Sequence, residues 1–451
     1  MAKAKLNLVE GPEGPILVRL TVPMMLGILS MIAFNLVDTY YVGRLGAKEQ
    51  AALSFTFPVI MIVFSLVQGI GIGATALISR SIGAGNMDKA RRETSDSLML
   101  GLILAGTLSA IGYFSIDSVF TALGAEGETL DHVRDYMQIW FVTTTVVVVP
   151  FVGNSAIRAT GDASTPAKIM LFAVFVNAVL DPLLIFGIGP FPELGLRGAA
   201  LATAISRALT LALSLYILYS RKKLITLEIP SFQVVKGCWW SIMYIGLPSG
   251  VARMLTPIAI AKVTALLAAY STFAVAGFGV GARIEAFTMS VLFALSASMG
   301  PFTGQNLGAN KIERITKALN LGTRFALIWS LFVAVLLYFF SGPVSSLFSE
   351  SSNVIRFCAL YLSIVPVSFG FQGINLLVNT IINTLNKPIL AFFISVVNTV
   401  GLMIPLALLG SYVCGIRGIF TGLAITYFLA GVLSYLVNRI VLKRLTAKGS
   451  L

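Results

Sequence analysis

The stretch ILVRLTVPMMLGILSMIAFNLVDTYYV (Ile16–Val42) decides how the rest of the chain is read. It is long enough to cross a bilayer core, which needs about 20 apolar residues in a helix, and it contains one carboxylate, Asp38. A carboxylate at membrane depth costs a few kcal/mol or more, so such residues usually mark a path for protons, ions or substrate. Asp38 is also close to Arg44, so the alternative is a helix end that faces water.

The composition extends this pattern to the whole chain. Of its 451 residues, 57% are hydrophobic and only 11% are charged, whereas a soluble domain carries about 25% charged residues. The net charge of +13 is typical of loops that face an anionic cytoplasmic leaflet, so we expect the lipid bilayer and no nucleic acid as partner. These numbers predict an all-α polytopic membrane protein.

Twelve apolar segments are long enough to span the membrane. Their continuous runs do not show the roughly ten-residue alternation of barrel strands. The segments lie near residues 16–42, 51–79, 95–116, 133–157, 167–187, 197–220, 238–268, 274–305, 318–340, 354–383, 388–411 and 416–438.

The basic residues predict the orientation. If both termini are cytoplasmic, most of the 32 Lys and Arg residues lie in cytoplasmic connections and few lie outside, as is usual in membrane proteins. We therefore expect a multi-pass plasma membrane protein, in the inner membrane of a bacterium, with cytoplasmic termini. No cleavable signal is expected, because the first apolar segment is too long for one.

Two repeats divide the chain into halves. In the early repeat, SIGAGNMDKARR (81–92) resembles NLGANKIERITK (306–317); in the late repeat, GLRGAALATAIS (195–206) resembles GIRGIFTGLAIT (415–426). Six segments per half mean that both halves enter the membrane from the same side, which gives parallel repeats.

The repeats predict a domain organisation. We expect twelve transmembrane helices in two pseudo-symmetric six-helix lobes, residues 1–219 and 237–451, joined by a cytoplasmic basic linker at 220–236. Paired bundles of this kind are the usual architecture for alternating access.

The first half contains two carboxylates at comparable depth. Asp38 lies about 9 Å inside Arg44, and Asp181 lies about 20 Å along the fifth segment from Lys168, at a rise of 1.5 Å per residue. Asn177 precedes Asp181 by one turn, on the same face, and Thr203 lies at a similar level on the next helix. Such oxygens can share a proton or coordinate Na⁺. For Thr203 alone, a hydrogen bond between helices is the simpler interpretation.

The second half carries different charges. In the repeat alignment Asp38 pairs with Val263 and Asp181 with Leu402, so neither carboxylate is duplicated. Glu285 could form a structural ion pair with a nearby base, or these charges could belong to the substrate path. The candidates are Arg253, Lys262, Arg283 and Glu285.

Other residue types point to few further sites. Pro23 lies in the first segment, where it removes one backbone hydrogen bond and permits a kink; its bending could close a cavity, or the kink could be static. The three cysteines are scattered and there is one histidine, so we expect no disulfide, no metal site of these residues and no cofactor apart from a coupling ion.

Ordered motifs make the chain resemble the multidrug and toxic compound extrusion (MATE) family. They are DTYYVGRLG from Asp38, SIGAGN from Ser81, RATGD (158–162), NAVLDP (177–182) and QNLGAN (305–310). The resemblance covers nearly the whole chain. It implies export of organic, often cationic or amphipathic, drug-like compounds in exchange for H⁺ or Na⁺.

Within the family the chain is similar to the DinF-like branch of prokaryotes. That similarity implies that Asp38 and Asp181 carry the coupling, with Asn177 and Thr203 in support. It further implies that Tyr136 and Asn154 line the first lobe and that the first helix bends at Pro23.

We therefore expect a monomeric H⁺-driven antiporter that works by alternating access through the aspartates of the first lobe. A Na⁺-coupled exporter of the same family, with Na⁺ at Asp38, Asn177, Asp181 and Thr203, remains an alternative. A lipid-linked precursor flippase of the wider superfamily is another, because the basic residues of the second half would suit a pyrophosphate. The sequence has no HExxH and no GxxxxGK[ST], so neither an intramembrane metalloprotease nor an ATP-driven pump is expected.

Overall fold

The computed structural model describes residues 7–228 and 230–447, and this part of the chain is helical with no strand. The helices are α1 (Glu13–Gly43), α2 (Ala47–Gly83), α3 (Met87–Phe114), α4 (Ile116–Ala122), α5 (Gly127–Val142), α6 (Thr144–Ala159), α7 (Ser164–Ile185), α8 (Gly195–Tyr216), α9 (Phe232–Ala268), α10 (Thr272–Gly308), α11 (Ile312–Ser346), α12 (Ser352–Ile364), α13 (Phe369–Thr384), α14 (Pro388–Val396) and α15 (Ile404–Ala447). Short π-helical turns follow α8 and α14, and a 3₁₀ turn joins α12 to α13.

Twelve membrane spans can be counted among the described helices. Ten helical runs are long and apolar enough to cross a membrane, and α5 with α6, bent by 47°, forms another. The run from Pro388 to Ala447 is interrupted at Cys414 and Gly415, where φ of Gly415 is +58°. A Cβ at Gly410 or at Gly418 would overlap the backbone of the other, so this run is a tight hairpin of two spans. The predicted fold class is confirmed.

The fourth, tenth and eleventh predicted segments are less regular than their apolar runs suggested. The fourth bends at Thr143 between α5 and α6, the tenth contains the 3₁₀ turn Val365–Ser368, and the eleventh contains the π-helical turn Val397–Met403. Pro366 explains the 3₁₀ turn, since proline donates no backbone hydrogen bond. Hydrophobicity gives the length of a span but not where its backbone changes pitch.

The described residues form two compact units. The first is Leu26–Gly250; the second combines Asn7–Met25 with the described residues from Val251 onward. These units differ from the predicted lobes at the first helix of each half, because the beginning of α1 belongs to the second unit and the beginning of α9 to the first.

The backbone conformation at the turns follows the sequence repeats. Gly85 and its early-repeat partner Asn310 have φ values of +76° and +58°. Gly195 and its late-repeat partner Gly415 have φ values of +53° and +58°. Positive φ suits glycine and asparagine at turns, so the four residues support the same turn geometry in both halves.

Within the first unit, the predicted linker is fixed along α3. Thr226 donates its backbone N–H to Ser95 Oγ at 2.9 Å, and Arg92 donates to the carbonyl of Glu228 at 2.6 Å. Lys222 forms an ion pair with Asp162 at 2.7 Å, in the turn between α6 and α7. The segment is therefore a strap with defined partners on this unit.

Asp162 has a second role at the start of α7. It accepts hydrogen bonds from the backbone N–H of Thr165 at 3.0 Å and from its hydroxyl at 2.7 Å. Burial alone would raise the pKa of Asp162, but the hydrogen bonds from Lys222 and Thr165, with the charge of Lys222, lower it overall. The turn thus holds α7, which carries two of the predicted site residues, in place.

Candidate functional site

Asn177 and Asp181 form a buried pair on α7. Both side chains are fully buried, and Asn177 Nδ2 donates to Asp181 Oδ1 at 3.0 Å. This contact follows from sequence spacing, because residues four apart share a helix face. The Asn177 side chain thus bonds within its own helix, and its Oδ1 has no partner among the described residues.

Asp38 lies close to this pair within the first unit. Its side chain is half-buried, and its Oδ1 is buried without a hydrogen-bond partner in the described structure. Asp38 lies within electrostatic range of Asp181 on α7 and of Arg207 on α8. The helix continues past Asp38 to Gly43, so the carboxylate is not a frayed end that faces water.

The other three predicted residues of the first half lie on the helices around the pair. Tyr136 on α5 is buried within electrostatic range of Asp38 and Asp181. Asn154 lies on α6 and Thr203 on α8. The hydrogen bond between helices that was the simpler interpretation of Thr203 is not formed, since its hydroxyl has no partner among the described residues.

Five buried oxygens of these predicted residues accept or donate no hydrogen bond in the described structure. Leaving a buried polar group unpaired costs about 1–3 kcal/mol, and native structures leave few. An oxygen set of this kind is suited to a proton or to a hard monovalent cation. The atoms are Asp38 Oδ1, Asn154 Oδ1, Asn177 Oδ1, Asp181 Oδ2 and Thr203 Oγ1.

Arg207 is part of this site and was missed by the sequence analysis. Its guanidinium lies 4.5 Å from the ring centroid of Phe34, one turn before Asp38, and it forms no ion pair in the described structure. Arg207 follows Thr203 by one turn on α8, so a charged residue inside an apolar segment was the available signal. It adds one fixed positive charge beside the two carboxylates.

The second unit holds Glu285 in a different arrangement from the one considered. Glu285 on α10 accepts a hydrogen bond from Tyr361 Oη, and Tyr427 Oη lies 3.5 Å from its other oxygen. Among the described residues, Glu285 forms no ion pair with a nearby base. Arg283 lies only two positions away on the helix, and such positions point in different directions.

The basic candidates of the second half remain exposed and unpaired in the described structure. Arg253 and Lys262 lie on α9 and Arg283 on α10. Val263, the counterpart of Asp38, is fully buried. The structure therefore does not bring these three bases and Glu285 together into one cluster.

Pro23 lies within an unbroken helix. α1 runs from Glu13 through Pro23 to Gly43, and two residues earlier Thr21 Oγ1 lies 3.1 Å from Ser298 Oγ in the same unit. The helix therefore continues on both sides of the proline. Bending at Pro23 remains a prediction.

Known relatives match the chain over most of its length. The FAD transporter of Shewanella oneidensis is 38% identical over 435 residues, which is 96% of either chain. The multidrug export protein MepA of Staphylococcus haemolyticus is 28% identical over 359 residues, which cover 79% of this chain and 78% of the relative. These two relatives are named for different cargoes, one for FAD and the other for multiple drugs.

Solved structures show the same fold. The Vibrio cholerae MATE transporter VcmN in its bent form superposes with a TM-score of 0.92 at 29% identity, covering 96% of this chain and 98% of the other. A MOP superfamily transporter of Pyrococcus furiosus, described by a binding pocket of reverse polarity, gives a TM-score of 0.90 at 26% identity over 99% of both chains.

The MatE family profile matches this chain twice, at residues 23–183 and 248–409. The two matches begin at Pro23 and Pro248, which the early repeat aligns, and together they cover more than half of the chain. The chain belongs to the MatE family and is a multi-pass membrane transporter, not an enzyme.

Proposed function

We propose that this transporter is a secondary antiporter that exports amphipathic organic compounds in exchange for H⁺. Asp38 and Asp181 would be the coupling carboxylates, in a plasma membrane protein with cytoplasmic termini. The observation that carries the proposal is the cluster of unpaired buried oxygens around two carboxylates in the first unit. A buried charge is stable only when it is paired, so this site requires a cation in part of the cycle.

The antiport direction follows from competition for the same charge. A proton that reaches Asp38 or Asp181 from outside neutralises the site and weakens its hold on a cationic cargo, which then leaves. The return step then needs less free energy with the neutral site than with a charged one, because an unpaired charge inside a membrane costs several kcal/mol. Release of the proton on the cytoplasmic side restores affinity for the next cargo molecule.

Arg207 favours H⁺ over Na⁺ as the coupling ion. With both carboxylates ionised the site carries two negative charges, and Arg207 offsets one of them at close range. One proton then brings the cluster to neutrality. Na⁺ would have to approach a fixed guanidinium while collecting several oxygen ligands, which makes the Na⁺-coupled alternative the less favoured one.

FAD or a related flavin nucleotide is a second candidate for the cargo. The Shewanella oneidensis FAD transporter is 38% identical to this chain, and Arg253, Lys262 and Arg283 are exposed cations without ion-pair partners in the described structure. Arginine binds phosphate oxygens strongly, and FAD carries a diphosphate. For such an anion, coupling cannot rest on charge competition at Asp38, so it would act through the conformational change alone.

Proteoliposomes with purified protein test the coupling ion and the cargo together. We expect vesicles with an acidic lumen to accumulate external ethidium, and no accumulation when a Na⁺ gradient is imposed at constant pH. Accumulation that requires the Na⁺ gradient would contradict H⁺ coupling. Accumulation of FAD in place of ethidium under the same pH gradient would select the anionic cargo.

A further inference from the structure

We propose that the second unit binds an anionic phospholipid in a basic groove between the beginning of α11 and the end of α15. The groove has a volume of about 580 Å³, and its cations are Lys317 on α11 with Arg439 and Lys443 on α15. It lies on the face proposed above to be cytoplasmic. The groove contains none of the predicted coupling residues, so lipid binding there does not depend on the proposed coupling ion or cargo.

The cations of the groove lack partners within the chain. Lys317, Arg439 and Lys443 are exposed, and none forms an ion pair or a hydrogen bond with a described residue. Glu313, in the first turn of α11, is the one carboxylate among the described residues of the lining, and it is also unpaired there. The lining therefore has a net charge of +2, which favours an anionic ligand.

Two contacts hold the groove together and orient its arginine. Tyr435 Oη on α15 donates to Asn320 Oδ1 on α11 at 3.4 Å. The Arg439 guanidinium lies 5.8 Å from the ring centroid of Tyr435. An arginine stacked in this way keeps its N–H groups available for phosphate oxygens, which it binds in a fixed geometry.

Apolar side chains extend the groove toward the membrane interior. Leu321 lies one turn beyond Lys317 on α11, and Leu436 lies three residues before Arg439 on α15; their side chains are 40% and 54% exposed. A free phosphate would contact the basic end alone, whereas a phospholipid covers both parts with its headgroup and its acyl chains. Basic pockets between transmembrane helices are suited to anionic headgroups.

The corresponding place in the first unit is filled by the chain itself. At the spacing of the early repeat, Lys317 is the counterpart of Arg92. Arg92 forms an ion pair with Asp96, one turn along α3, and donates to the carbonyl of Glu228 in the strap at 2.6 Å. The first unit thus provides its own acceptor oxygens at this place.

The second unit provides neither of these partners. Leu321 stands at the position of Asp96, and at the spacing of the late repeat Thr446 is the counterpart of Thr226 in the strap. Here the chain remains helical to Ala447 instead of folding back along the neighbouring helix. The groove is therefore open where the first unit holds its strap, and a phosphate group from outside the chain can supply the missing oxygens.

The net charge of the groove also selects among phospholipids. Phosphatidylglycerol carries only hydroxyl groups beyond its phosphate. Phosphatidylethanolamine carries an ammonium group there, which a lining with a net charge of +2 repels. We therefore expect the groove to prefer phosphatidylglycerol.

Native mass spectrometry of the purified full-length protein in detergent tests the site. The protein is titrated with phosphatidylglycerol, and separately with phosphatidylethanolamine. We expect phosphatidylglycerol to bind more tightly, and to bind roughly tenfold more weakly to Lys317→Gln/Arg439→Gln/Lys443→Gln. Inorganic phosphate at the same concentration as the lipid should leave the lipid bound. Displacement by phosphate would identify a site for the free anion and overturn the proposal.

Arg19→Gln/Lys168→Gln/Lys236→Gln is the matched control. It removes three other exposed cations that form no ion pair with a described residue, so it should bind phosphatidylglycerol as wild type does. Equal weakening in both triple variants would mean that total charge attracts the lipid, and no weakening in the groove variant would mean that it binds elsewhere. Either result overturns the proposal.

Leu321→Asp keeps the test decisive if the groove variant does not fold. It gives Lys317 the carboxylate, one turn along, that Arg92 has in the first unit, so phosphatidylglycerol should bind more weakly. Lys317→Arg/Lys443→Arg preserves the charge and should keep the lipid. Wild-type binding by Leu321→Asp would overturn the proposal.

Discussion

At the scale of single residues, the contact between Asn177 and Asp181 could be predicted from the sequence. The place of Arg207 in the same site could not. Spacing by one turn is enough to place an amide against a carboxylate on the same helix. The influence of Arg207 depends on its closeness to Phe34 and Asp38 on another helix, which no local pattern contains. For the same reason the partners of Glu285, far along the chain, were out of reach of a sequence-based prediction.

Arg207→Gln tests the positive charge of the first site. Removing the guanidinium leaves two carboxylates without their fixed cation, so protons bind more tightly. We expect the pH at which transport is half-maximal to rise by roughly one unit, as loss of a charge contact of about 1.4 kcal/mol would give, and Na⁺ to begin to support transport. Arg283→Gln, an exposed arginine of the second unit, should change neither property. An unaltered pH profile in Arg207→Gln would show that the guanidinium does not act on the carboxylates.

At the scale of helices, close backbone contact explains features that hydrophobicity does not reveal. The hairpin in α15 brings Gly418 against Gly410, and the turn into α8 brings its late-repeat partner Gly198 against the carbonyl of Leu184. In both units a glycine therefore permits the sixth span to pack on the fifth. The repeat predicted that these segments correspond, but the contact itself required the structure.

Gly418→Ala and Gly198→Ala should each destabilise the fold. The added Cβ overlaps backbone atoms, which cannot turn aside as a flexible side chain would, and overpacking typically costs about 1–3 kcal/mol. We expect a lower melting temperature for both variants by size-exclusion chromatography after heating. Gly279→Ala is the control, because a Cβ there meets nothing within 4 Å. Equal stability of all three variants would contradict the close packing.

The strap on α3 gives a pH-dependent contribution at the same scale. Because the pKa of Asp162 is lowered in the folded protein, its ion pair with Lys222 stabilises the fold above the unfolded pKa of about 3.9. That stabilisation is lost as the pH falls through the lower folded value. Its size is below about 1 kcal/mol, because both side chains are partly exposed.

Asp162→Asn checks this contribution by thermal unfolding in detergent, monitored by tryptophan fluorescence. Between pH 6 and pH 3, the melting temperature of wild type should fall by about one to two degrees more than that of Asp162→Asn. Asp88→Asn removes a far more exposed pair with Arg91 and should match wild type. If acid destabilises Asp162→Asn as much as wild type, the strap does not depend on this carboxylate.

At the scale of the whole molecule, the number of spans and the repeat could be predicted because long apolar runs and turn motifs are local signals. The assignment of the beginning of α1 to the second unit, and of the beginning of α9 to the first, could not be predicted. It depends on which residues these helices contact along their length. The MatE profile and the solved transporters agree with the predicted architecture.

The most direct measurement compares two activities of Asp38→Asn in proteoliposomes. The proposed mechanism requires protons for net accumulation but not for one-for-one exchange of cargo across the membrane at equal pH. We predict that Asp38→Asn retains exchange of labelled cargo and loses accumulation driven by a pH gradient. Full gradient-driven accumulation in Asp38→Asn would contradict coupling through the aspartates of the first unit.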